Sequence, residues 1–150
     1  MISTLNEYRD YFKSLATSLD LDFVYGGSDR ILNRQTADLK YPCLWLEIPD
    51  ISLLRNGGLK RRFVGAFMLL SDAPADDWTA QDNALDTALS LTDTILRRMY
   101  ADAQNGQFEF DMAGADLTYK AKLSADDDWG WHTEFSLIGV ACDCEDCDED

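Results

Sequence analysis

Three cysteines near the end of the chain, Cys142, Cys144 and Cys147, stand at a spacing that could hold a soft metal. Thiolates this close can reach one zinc ion, with His132 or an aspartate as fourth ligand. A structural zinc site usually joins two separated ligand pairs, and no second pair follows here. Six carboxylates share the nine residues 142–150, and their charge opposes thiolate formation. The segment therefore reads as an acidic tail, solvated or held by a partner, and neither metal nor cofactor is assigned. His132 is the only histidine. A general base needs an orienting group and a nucleophile within reach, and its neighbours Trp131 and Thr133 suggest neither. Strand alternation puts it on an exposed face. Asp126, Asp127 and Asp128 lack the alternating spacing and final glutamate of a calcium loop, so they read as a solvated turn. Cys43, between proline and leucine, reads as a small core residue. No acid/base pair or nucleophile set emerges, so the chain is not expected to be an enzyme.

The remaining chemical feature is a concentration of positive charge. Arg55, Lys60, Arg61 and Arg62 hold four of the thirteen bases. They flank Asn56, Gly57 and Gly58, and Asn-Gly is a strong hairpin signal. One reading is a charged strand that resists edge-to-edge aggregation. The other is an interface formed by these seven residues, docking an acidic surface such as this chain's own tail or a neighbour's.

The elements that position these residues follow from periodicity. Thr4 and Glu7 fit a capping box. Leu5, Tyr8, Phe12, Leu15 and Leu19 then form one apolar helical stripe. A short strand is expected over 20–25, a loop over 28–40, and a strand bracketed by Pro42 and Pro49 over 41–49. Residues 51–54 and 59–70 form the two arms of the basic hairpin. A polar turn leads into a long helix starting near Asp76 or Asp77 and ending near Asp102. Its apolar face comprises Trp78, Leu85, Leu89, Thr92, Leu96 and Met99. Alternation then predicts strands around Phe108 to Met112, Leu117 to Leu123 and Trp131 to Gly139. An acidic turn over 124–130 separates the last two. The result is an α+β domain, 1–141, with a mostly antiparallel sheet carrying an N-terminal helix and one long helix packed on it. The acidic cysteine-containing tail is 142–150.

Composition bounds the function. The 150 residues are enough for one domain with a real core. A net charge of −15 argues against a protein that grips nucleic acid or an anionic membrane. Residues 1–20 lack the apolar segment of an export signal. No run approaches the roughly 20 residues of a membrane span. The four cysteines are too unevenly placed for a disulfide framework, pointing to reduced synthesis in a cytoplasm.

The order of elements, carried by 41–49, 59–70, 78–100 and 130–137, resembles that of tail-terminator or tail-completion proteins of long-tailed phages. Related neck and tube-capping proteins of contractile injection systems share it. The likeness is one of pattern; 28–40 and the tail fall outside it. It implies a virion protein made in the host cytoplasm, forming a ring, usually a hexamer. That ring caps the tail tube and joins it to the head connector, with DNA sliding through an acidic passage. A second reading is an acidic binding protein, either a toxin-immunity protein or a DNA mimic. It would act as a monomer that blocks a basic partner.

Overall fold

The computed structural model describes residues 1–27, 39–55, 59–121 and 128–139. Its order is α1 (Leu5–Ser18), β1 (Asp22–Tyr25), β2 (Cys43–Leu46), β3 (Asp50–Arg55), β4 (Leu59–Asp72), α2 (Trp78–Gln104), β5 (Glu109–Phe110), β6 (Asp116–Ala121) and β7 (Asp128–Gly139). It is an α+β domain with a mostly antiparallel sheet.

Local signals explain the helix ends. Thr4 caps α1: its Oγ1 accepts from the Glu7 N–H at 3.2 Å, and the Glu7 carboxylate accepts from the Thr4 N–H at 2.9 Å. The same carboxylate also accepts from Ser3. The Ser3 hydroxyl above all, with these backbone N–H donors, lowers the Glu7 pKa from 4.5 to about 2. Asp77 caps α2, accepting from the Ala80 N–H at 3.0 Å. Asn105 closes it, followed by Gly106 at φ +80°. The helix thus runs past Asp102 to Gln104, which places Arg97 and Arg98 inside it, away from the C-terminal turn.

The two long strands β4 and β7 pair antiparallel along nearly their whole length, from Arg61↔Gly139 to Asp72↔Asp128. Each carries shorter strands on its outer side. On β4, β2 covers Phe67–Leu70 and β3 covers Leu59–Val64. On β7, β6 covers Trp129–Glu134 and β5 covers Leu137 and Ile138. Among the described residues the only parallel ladder is β1 on β2. Among the described residues, β1, β3, β5 and β6 have a strand on one side only.

Both helices lie on one face. Tyr8, Phe12, Leu15 and Ala16 of α1, with Ala88, Ile95, Leu96 and Met99 of α2, meet Leu44, Leu46, Phe63, Phe67, Leu69, Phe135 and Leu137. The Tyr8 and Phe63 rings stack 5.4 Å apart, and Phe12 tilts against Phe67 and Phe135. Tyr11 donates to Asp102 at 2.8 Å, tying α1 to the end of α2. On the far face Val24, Cys43, Trp45, Met68 and Leu70 form a second cluster with Leu39 and Tyr41. Cys43 is therefore the core residue that its sequence context suggests.

Several expectations are corrected. Trp78 is 80 % exposed and takes no part in the apolar face of α2; the first turn of the helix overhangs the core that Ala84 begins. The strand expected around Phe108 to Met112 shrinks to β5. The Asp111 carboxylate accepts from the Ala113 N–H at 3.0 Å and starts a 3-10 turn, Met112–Gly114. Asp128 is no turn residue. It lies buried at the start of β7 and accepts a hydrogen bond from the Tyr41 hydroxyl at 3.2 Å.

Candidate functional site

Alternation along β4 decides where its bases point. Directly paired residues share a face of the sheet. Arg61 pairs with Leu53 and Gly139, on the helix side. Its Nη1 donates to the Ser3 carbonyl at 2.6 Å, so it holds the entry to α1. Lys60 and Arg62 point to the opposite face. Lys60 is ion-paired with Glu109. Arg62 lines an open groove of about 430 Å³ with Phe110, Asp111, Ser136 and Ile138. Lys60, Arg61 and Arg62 are thus divided between two faces, and of these three Arg62 is the base that faces a groove. Arg55 ends β3, while Asn56, Gly57 and Gly58 lie outside the described residues, as do Cys142, Cys144 and Cys147.

The same arm exposes apolar side chains. Ile48 is 52 % exposed, Ile51 46 %, Leu53 62 % and Val64 46 %. Ile51 and Leu53 sit on the helix-side face of β3, beyond the area that either helix covers. Among the described residues their strand is also an open edge. Charge alone suggested this arm as an interface; its apolar component follows only from seeing which face the helices leave bare.

His132 is not the exposed strand residue expected of it. Its side chain is 15 % exposed, with Nε2 3.2 Å from Glu47 Oε1. Glu47 lies just after β2, and its N–H donates to the Ala66 carbonyl at 3.0 Å. The pair therefore ties the link between β2 and β3 across β4 to β7. A carboxylate beside an imidazole could orient a base, but the geometry accounts for it as a cross-strand tie. Among the described residues no three His, Cys, Asp or Glu side chains gather as a metal ligand set.

Three indoles are anchored. The N–H of Trp45 donates to the Gly26 carbonyl at 2.8 Å, that of Trp129 to Ala73 at 3.3 Å and that of Trp131 to Leu85 at 3.0 Å. The fourth, Trp78, projects from the start of α2 beside Asp76 and Asp77. The outer surface of α2 continues the negative charge, with Asp82, Asp86 and Asp93 exposed. The arm of β3 and β4 thus presents bare apolar side chains and Arg62, while α2 exposes Asp82, Asp86 and Asp93 together with Arg97 and Arg98. No described helix is long and apolar enough to cross a membrane.

Compared with protein-family models, with curated proteins and with solved structures, the chain matches none.

Proposed function

We propose that this chain is a structural virion protein, a tail terminator or neck component. It works as a ring that caps the tail tube and joins it to the head connector. The observation that carries this reading is the arm of β3 and β4. Ile48, Ile51, Leu53 and Val64 stand exposed there on a strongly acidic chain. Ile51 and Leu53 share the helix-side face of β3, while Val64 lies on the opposite face and Ile48 just before β3, and bare apolar side chains on both faces of one strand pair suit a contact surface. The arm lies at one edge of the sheet and is unlike the opposite edge, and two unlike surfaces suit the heterologous contacts from which rings close. The element order supports the same reading through its resemblance to tail terminators. A net charge of −15 per copy supplies a lumen that repels phosphate, so DNA passes without adhering. In this reading the chain makes and breaks no covalent bonds.

The test is to mix purified protein with tail tubes and image them by electron microscopy. Rings at tube ends, with matching oligomers in native mass spectrometry, are expected. Bare tube ends would sink the reading. The exposed row Asp82, Asp86 and Asp93 favours a second reading, an acidic monomer that plugs a basic partner site. Neutralising that row would abolish such binding and leave ring formation through the arm intact.

A further inference from the structure

We infer that neighbouring copies join edge to edge, β3 of one copy pairing antiparallel with β6 of the next, so that the sheet runs on through the ring. This rests on the ring reading and names the contact that closes it.

Both strands are six residues long, and each has β4 or β7 on one side and no described strand on the other. They lie at opposite edges of the sheet. Their directions also fit. Since β3 opposes β4, β4 opposes β7 and β7 opposes β6, β3 and β6 run in opposite directions. A neighbour in the same orientation therefore presents its β6 antiparallel to β3, with the helix-side faces aligned.

The side chains select one register. On the helix side, β3 offers Ile51 and Leu53 and β6 offers Leu117 and Tyr119; on the other face Asp50 and Ser52 meet Thr118 and Lys120. Setting Ile51 opposite Tyr119 puts Leu53 opposite Leu117, Ser52 opposite Thr118 and Asp50 opposite Lys120. These are an aromatic with a β-branched residue, two leucines, two hydroxyls and two opposite charges, four favourable cross-strand pairs against one indifferent pair, Leu54 with Asp116, at the end of the ladder. A slip of one residue would turn the apolar side chains to the wrong face, and a slip of two would separate Asp50 from Lys120. Asp50 and Lys120 have no ion pair among the described residues. Ile51, Leu53 and Tyr119 are 46 %, 62 % and 49 % exposed, so the pairing covers side chains that the monomer leaves bare.

The two edges are also staggered. β3 lies against Leu59–Val64 of β4, whereas β6 lies across from Ala66–Ser71. In the register above, Asp50 lies against Val64 and Lys120 across from Leu70, an offset of six residues, or roughly 20 Å at ~3.3 Å per residue. A stagger of constant sign at every junction tilts the strands against the ring axis, as closure of a sheet around a passage requires. A two-fold β6–β6 contact would pair Lys120 with Asp116 but leave Ile51 and Leu53 bare.

Charge exchange tests the pairing in the full-length chain. Asp50→Lys and Lys120→Asp each place like charges at every junction, and each alone should weaken self-assembly several-fold per junction in native mass spectrometry and sedimentation. Mixing the two variants makes every junction attractive again and should restore alternating, even-numbered rings. Leu53→Lys should also block assembly. All three variants should melt as the wild-type monomer does, since these side chains lie outside the core. Assembly indifferent to both charge variants would overturn the edge pairing and leave the ring reading standing. Loss with Lys120→Asp alone, unrescued by mixing, assigns the contact to β6–β6 and overturns the proposal. A wild-type chain that stays monomeric to millimolar concentration also overturns it, while the ring reading is judged on the tube ends.

Discussion

Single side chains in this fold are set by very close contacts. A Cβ added to Gly65 would lie 2.2 Å from the Tyr8 hydroxyl and 3.4 Å from the Phe135 ring. That hydroxyl is itself buried with no hydrogen-bond partner among the described residues, and burial drives its pKa upward. Gly65→Ala should therefore cost about 1–3 kcal/mol by overpacking. Tyr8→Phe should be neutral or stabilising, because it removes an unsatisfied polar atom. Combining them should recover part of the Gly65→Ala loss, and urea titration of the four proteins measures that coupling. Glu7 gives a pH dependence. Its folded pKa of about 2 lies below the unfolded value of 4.5, so the unfolded chain binds more protons between them. The contribution is fully present above pH 4.5, falls through that window and is gone below about 2. Glu7→Gln should remove that part of the acid sensitivity. The shift in melting temperature should be small, because the carboxylate is solvent-screened.

At the scale of elements, the pairing of β4 with β7 is the least forgiving feature. A Cβ on Gly130 would fall 1.7 Å from the Leu69 carbonyl oxygen. Backbone cannot yield there without opening the ladder, so Gly130→Ala should cost more than about 3 kcal/mol or prevent folding. Circular dichroism melts check it. The N-terminus of α2 is more tolerant. Asp77→Ala removes one cap and should cost about 1 kcal/mol, without disturbing the core contacts of Ile95, Leu96 and Met99. These outcomes separate a strand pair that holds the sheet together from a helix end that overhangs it. Trp78 belongs to the overhang. Its fluorescence should report solvent in the monomer and shift only if assembly covers it.

At the scale of the whole molecule, charge distribution matters more than total charge. Arg62 faces the open groove, while Lys60 and Arg61 are held within the chain. In the ring reading, Arg62→Glu should weaken assembly several-fold at low salt, and the effect should fade as the Debye length contracts below ~10 Å. Monomer stability should change by no more than about 0.5 kcal/mol, as for an ordinary surface substitution. Light scattering across a salt series reads both. Assembly that ignores Arg62 at every ionic strength would remove that residue from the interface.

What the sequence by itself determined was local: the capping box at Thr4 and Glu7, the apolar stripes of α1 and α2, and alternation in β6 and β7. These signals act over a few residues, where backbone geometry and side-chain period are set, and together they specify an α+β domain. Only the tertiary structure decided which surfaces stay bare. Glu47 and His132 are 85 positions apart in the chain, and no local period announces their meeting. Asp128 belongs by composition to an acidic turn, yet it is buried because β7 extends to pair with the end of β4. Trp78 fits the period of α2, yet it is exposed because the helix starts beyond the edge of the core. The division of Lys60, Arg61 and Arg62 between two faces, and the edges of β3 and β6 that carry no further described strand, likewise depend on strand order. That order arises from long-range pairing, whose partners are chosen by total burial and register across the whole sheet.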